Sequence, residues 1–273
     1  MMPKFNIKRL FKLQAQLFGR NQIKFSKDMD CQQIRNKLDL YVFDFDYTVI
    51  EQNSDTIFYT LFENRQPPKE LADQYIEGQW TAFMNTVLDY LKNKMGINSS
   101  KIQEEIEKAD LVGGMKDLFE KIKSKNSEII ICSDANSLFI KWIVEKNQIA
   151  DYFSAIYTNP CTIENDQLFV KRFYDQHSCP LCTQTPNMCK RRIIEDHIAK
   201  NPNKEYINIH YFGDGKNDFC PMVSLKDQNS TGFVRKGFAL EKKIEQYLKQ
   251  ENSDPFKCKL VYWNQAHEIL NQI

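Results

Sequence analysis

The run Leu40-Tyr41-Val42-Phe43 is apolar throughout and stops on two carboxylates one residue apart, Asp44 and Asp46, with Thr48 two positions further on. A strand buried on both faces excludes charge along its length and delivers it at its end, where open α/β sheets bind ligands. Three other runs end the same way. Ile129–Cys132 precedes Ser133-Asp134, Ala155–Tyr157 precedes Thr158-Asn159-Pro160, and Tyr206–Phe212 precedes Gly213-Asp214. Helical periodicity lies between them, over 137–147 and 190–199 for example. Strands alternating with helices predict an α/β fold, a doubly wound parallel sheet, with every polar cluster meeting at one crevice.

Asp44 and Ser133 stand 89 positions apart, far more than one crossover helix requires. Segments 55–63, 69–95 and 99–108 read as amphipathic helices, broken at Pro67-Pro68 and ending before Gly113-Gly114. The excess predicts a helical cap inserted after the first strand, which would exclude water and select substrate. The expected division is a basic extension at 1–37, a core of 38–52 and 111–273, and a cap at 53–110. The alternative is that these helices pack on the sheet as ordinary core layers.

A formal net charge of +1 gives no global field to attract nucleic acid. No apolar stretch reaches the roughly 20 residues needed to cross a bilayer. Eight cysteines without a signal-peptide pattern fit a reducing, cytoplasmic setting. Met1 to Lys27 carries seven Lys/Arg and no acid, with Leu10, Phe11, Leu13, Leu17 and Phe18 near one helical face. That segment reads as a basic tail or a helix leaning on the core; mitochondrial targeting is the alternative.

A phosphate monoester repels an attacking carboxylate unless cations neutralise it. Paired aspartates supply both the attacking group and ligands for a magnesium ion, Mg2+, that would do so. Residues i and i+2 of an extended chain point the same way, so Asp44 would be the nucleophile and Asp46 the general acid and base. Asp214 opens Gly-Asp-Gly-Lys-Asn-Asp and is placed to complete the magnesium shell, with Asp218 behind it. Thr48 and Asn217 are the polar neighbours expected to support these acids. Ser133, at a strand-to-helix turn, reads as a phosphate ligand or a helix N-cap. A cation is still needed beside Asp44. Lys190, at the start of an apolar-periodic helix, is the candidate, with Arg191 and Arg192 as competitors.

Taken together, these strings resemble the haloacid dehalogenase superfamily of magnesium-dependent phosphohydrolases. More narrowly, the chain resembles the phosphoethanolamine/phosphocholine phosphatase family, which also contains pyridoxal-phosphate phosphatases. The resemblance rests on Phe-Asp-Phe-Asp-x-Thr with Glu-x-Asn-Ser-Asp, then Ser-Asp-Ala-Asn and Thr-Asn-Pro. After these come His-Ser-Cys-x-x-Cys with Asn-Met-Cys-Lys, and Gly-Asp-Gly-x-Asn-Asp-Phe-Cys-Pro, in family order over residues 38–223. It implies Asp44 as nucleophile, Asp46 as acid/base, Ser133 and Lys190 on phosphate, and magnesium on Asp44, the Asp46 carbonyl and Asp214. It also implies that Asp55 and Asp134 contact substrate, where a carboxylate would attract the cationic end of phosphocholine or phosphoethanolamine. Otherwise Asp55 caps a helix and Asp134 orients Ser133. The pattern leaves Tyr47 and Lys216 open.

The expected activity is hydrolysis of small phosphomonoesters through an aspartyl-phosphate. Phosphocholine or phosphoethanolamine is the favoured substrate and pyridoxal 5′-phosphate the alternative. A non-catalytic phosphometabolite-binding protein is the rival of a different class. His177, Cys179, Cys182 and Cys189 form a cluster open to three readings: buried thiols in a structural loop, structural zinc, or a redox pair. Cys220 reads as core, and His197, His210 and His267 as packing.

Overall fold

The computed structural model describes residues 36–182, 187–250 and 256–273. The basic segment up to position 35, with its expected helix or targeting signal, lies outside the described residues. Asn36 and Lys37, assigned to that extension, instead open the first strand.

Six parallel strands form one sheet in the order β3-β2-β1-β6-β7-β8. They are β1 (Asn36–Phe43), β2 (Ser127–Asn136), β3 (Ala155–Asn159), β6 (Lys204–Gly213), β7 (Thr231–Arg235) and β8 (Lys259–Trp263). The chain winds outward from β1 to β3, returns to β6 beside β1, and winds outward again. The order therefore reverses between β1 and β6, which is where such sheets open a binding crevice. Asp44 and Asp214 follow these two strands directly.

Alternating side chains of β1 feed two separate cores. Leu40 and Val42 pack with helices α7 (Lys190–Lys200), α8 (Phe219–Val223) and α9 (Ala239–Leu248) through Ile193, Met222 and Leu240. Tyr41 and Phe43 face the opposite way, towards α5 (Met115–Lys123) and α6 (Ser137–Lys146) through Leu118, Phe119 and Phe139. On that face Phe43, Phe212 and Phe233 stack across β1, β6 and β7 with centroids 4.1 and 4.2 Å apart. Each such buried ring contributes about 2–3 kcal/mol and fixes strand register by shape.

The segment after β1 holds α1 (Ser54–Ile57), a 3₁₀ turn at Phe58–Leu61, α2 (Lys69–Ala72), α3 (Trp80–Asn93) and α4 (Ser99–Ile106). It enters and leaves over a paired neck. Ile50 bridges Leu111 in antiparallel fashion, and Glu51 N donates to Asp110 O at 2.9 Å. The helix expected over 69–95 is two helices, separated by a bend in which Gly78 adopts φ 75°. Glycine alone takes that conformation without strain. A hairpin that the periodicity did not reveal, β4 (Cys161–Glu164) and β5 (Gln167–Val170), joins this layer. Asn85 of α3 donates to Val170 O and accepts from Val170 N, both at 2.8 Å, as a strand would. Among the described residues no helix is long and apolar enough to cross a membrane.

Candidate active site

β1 ends at Phe43, and 46–49 form a turn rather than more strand, with Tyr47 at φ 53°. The expectation that Asp44 and Asp46 share one face of an extended strand therefore fails. Their placement comes from the turn. Arg235, at the end of β7 and 4% exposed, holds that turn by donating to Tyr47 O at 2.6 Å and pairing with Glu51.

Asp44 is 4% exposed. Its Oδ1 accepts from Phe45 N at 2.7 Å, and its Oδ2 lies 2.6 Å from Lys190 Nζ. Lys190, 1% exposed, opens α7 and sends its ammonium inward to Asp218 Oδ1 as well, at 2.8 Å. Arg191 and Arg192 instead lie near Glu195 and Asp196 one turn along the helix. Of the three cations, Lys190 alone reaches Asp44. Burial by itself would lower the Lys190 pKa, but the Asp218 and Asp44 carboxylates outweigh it and hold it well above the ordinary range.

Asp218 is wholly buried and saturated. Oδ1 also accepts from Tyr211 OH at 2.6 Å, while Oδ2 accepts from Asp214 N at 3.1 Å and Gly215 N at 2.8 Å. A Cβ on Gly213 would stand 2.4 Å from the Asp218 carboxyl carbon, so glycine is required where strand and carboxylate meet. Asp214 accepts from Thr48 Oγ1 at 3.3 Å. Asn217 is half-buried in the same turn, its Oδ1 crowding Gly215.

The carboxylates of Asp44, Asp214 and Asp218 have oxygens within 4.8 Å of one another. Three buried acids face one lysine. Burial and mutual repulsion accordingly raise Asp44 well above the carboxylate range and push Asp214 up to about 7. An all-oxygen donor set with uncompensated negative charge fits a hard divalent cation. Asp46 contributes no carboxylate to this cluster. Its oxygens accept from Ser54 N at 3.0 Å and Ser54 Oγ at 3.2 Å. Burial, then the Asp55 charge, raise its pKa well above normal.

Ser133 is buried within β2, its Oγ accepting from Ala135 N at 3.3 Å. It is not the helix cap: Asn136 caps α6 by accepting from Phe139 N at 3.1 Å. Asp55 likewise caps nothing, since Asn53 caps α1. Asp55 Oδ2 instead accepts from Trp80 Nε1 at 2.7 Å, and burial pushes its pKa up to about 7. Asp134 is half-buried, and its charge is felt by Asp44, Asp46, Asp55 and Asp214 alike. It thus lies near both the acid cluster and the Asp46–Asp55 pair. Sequence reasoning missed Arg235, Tyr211, Ser54 and Trp80. For Arg235 a signal existed, because the apolar run of β7 ends on it.

Cys220 is not simply core. Its sulfur joins those of Cys179, Cys182 and Cys189, all within 4.8 Å of one another, whereas His177 Nδ1 accepts from Cys179 N at 3.3 Å. His197, read as packing, bonds Tyr157 OH at 2.8 Å and Tyr206 OH at 3.0 Å.

The fold is shared with solved hydrolases. A phosphoserine phosphatase in apo form superposes with TM-score 0.57 at 14% identity, over 86% of this chain and 99% of that one. A HAD-family hydrolase from Salmonella enterica gives TM-score 0.58 at 17% identity, over 86% and 70%. In sequence, the mouse pyridoxal phosphate phosphatase PHOSPHO2 is 33% identical over 238 residues, spanning 86% of this chain and 96% of that protein. The chicken phosphoethanolamine/phosphocholine phosphatase is 31% identical over 235 residues, spanning 84% and 85%. Fold and relatives define a phosphoric monoester hydrolase with a haloacid dehalogenase-like core, which sets aside the non-catalytic reading. Within that class the chain belongs to the family described as Putative Phosphatase, which it matches over residues 39–273.

Proposed function

We propose that the chain hydrolyses small phosphomonoesters by transferring the phosphoryl group to Asp44. The observation that carries this reading is the Asp44–Lys190–Asp218 array, an acid held against a buried ammonium at the sheet's switch point. Phe45 N–H and Lys190 fix the Asp44 carboxylate, so one of its oxygens attacks phosphorus as the phosphorus–oxygen bond to the leaving group breaks. Asp46, whose pKa burial raises, gives its proton to the departing oxygen. It then takes a proton from the water that attacks the aspartyl-phosphate, which releases phosphate and restores the Asp44 carboxylate. Lys190 and the buried Ser133 hydroxyl neutralise and orient phosphate oxygens, and Asp218 holds Lys190 in place. Thr48, through Asp214, and Asn217 keep the metal turn in shape.

Asp44, Asp214 and the Asp46 carbonyl would hold Mg2+, which when bound offsets the charge of the phosphoryl group. The helices of 53–110 would act as a cap on a core of 38–52 and 111–273, carrying Asp55 and Trp80 to the substrate's far end.

Two substrates are supported by different observations. Asp55 and Asp134 present carboxylates suited to the cation of phosphocholine or phosphoethanolamine. Pyridoxal 5′-phosphate is supported by the relatives named for it, which this chain matches over 96% of their length. Phosphate release from a panel of monoesters, with and without Mg2+, ranks them by kcat/KM. Activity undiminished by metal removal would count against the whole reading.

A further inference from the structure

Four cysteines from three separate segments bring their sulfurs to one point. Cys179 and Cys182 come from a turn, Cys189 immediately precedes α7, and Cys220 lies in the first turn of α8. Cys179 Sγ and Cys220 Sγ are 3.4 Å apart, Cys182 Sγ and Cys189 Sγ 3.8 Å apart, and all four lie within 4.8 Å of one another. A disulfide would require about 2.05 Å, well short of either spacing. Four sulfurs at the corners of a tetrahedron centred on zinc, each about 2.3 Å from it, would be separated by about 3.8 Å. The 3.4 and 3.8 Å spacings lie near that value, and the remaining pairs stay within 4.8 Å. Apolar packing would set the sulfurs against carbon, whereas here sulfur meets sulfur.

We propose that Cys179, Cys182, Cys189 and Cys220 bind one structural zinc ion as four thiolates. The surroundings suit the net negative charge of such a centre. Arg191 Nη2 donates to Cys179 Sγ at 3.8 Å, and the Arg192 backbone N–H donates to the Cys189 sulfur at the start of α7. The centre fastens α7 to α8. Cys189 is bonded to Lys190, and Cys220 stands two residues after Asp218, so the same link sets the distance across the Lys190–Asp218 pair. This site stands on the thiol geometry and is independent of the phosphatase mechanism.

The test is metal analysis of the full chain expressed with added Zn2+ and purified without chelator. Elemental analysis is expected to find about one zinc per chain, and X-ray absorption to find four sulfur neighbours at about 2.3 Å. Cys220→Ser is expected to lose the zinc, while Asp44→Asn and Cys161→Ser keep it. The wild-type absorption spectrum decides the matter even if Cys220→Ser does not fold. Folded wild-type protein without zinc, a spectrum with oxygen or nitrogen neighbours in place of sulfur, or zinc lost on Asp44→Asn would each overturn the proposal.

Discussion

Lys190 holds its ammonium 2.6 Å from Asp44 Oδ2 and 2.8 Å from Asp218 Oδ1, so a single buried cation ties the first central strand to the turn after the other. Replacing it strips the cation from two buried carboxylates. Lys190→Met is expected to cost about 3–5 kcal/mol of stability and to lower kcat by about 100-fold or more. Urea denaturation and steady-state kinetics measure the two effects. Wild-type values in both would remove Lys190 from the account.

The Gly213 position is set by Asp218, whose carboxyl carbon is 2.4 Å from where a Cβ would stand. Gly213→Ala pushes that carboxylate off Lys190. The expected cost is about 1–3 kcal/mol, as for overpacking elsewhere, with a fall in kcat in the direction of Lys190→Met. Unchanged kcat would mean the array tolerates displacement.

Asp55 tests the cationic head-group reading. If a cationic head group faces it, Asp55→Asn lowers kcat/KM for phosphocholine about tenfold more than for p-nitrophenyl phosphate. A unit charge pair near 4 Å is worth between about 1 and 4 kcal/mol, depending on screening. Equal losses on both substrates would remove the contact between Asp55 and a cationic head group from the account.

Glu128 tests the sheet away from the site. It is buried at the start of β2 and accepts from Ser154 Oγ at 2.6 Å, Tyr206 OH at 2.6 Å and Lys204 Nζ at 2.8 Å. Burial opposes ionisation, but the hydrogen bonds from His197, Lys204, Ser154 and Tyr206 win and hold its pKa below the ordinary 4.5. A depressed carboxylate stabilises the fold above its unfolded pKa, and that stabilisation is lost as pH falls towards the folded value. Glu128→Gln is therefore expected to cost about 2 kcal/mol at pH 7 and progressively less below pH 4.5, with kcat unchanged. A penalty that grows on acidification would reverse the assignment.

What could be read in advance follows from how charge is distributed along the chain. β1, β2, β3 and β6 were legible because their apolar runs stop abruptly on polar residues, and the same stops marked Asp44, Ser133 and Asp214. β7 also stops on a charged residue, Arg235, but its partners Tyr47 and Glu51 lie more than 180 positions away, so what it holds could not be read locally. Ser54 on Asp46 and Tyr211 on Asp218 are side-chain matches made by the fold, as is the β5 edge that Asn85 covers. Cys220 reads as core in the sequence because its sulfur partners lie over 30 positions earlier.

The most direct measurement is chemical trapping of the phosphoenzyme. Enzyme turning over substrate with Mg2+ is quenched, reduced with borohydride and mapped by mass spectrometry, since an acyl phosphate on aspartate reduces to homoserine. The account predicts homoserine in place of Asp44, dependent on substrate and absent from Asp44→Asn, which stays folded without turnover. Reduction at another residue, or phosphate release by Asp44→Asn at the wild-type rate, would contradict it.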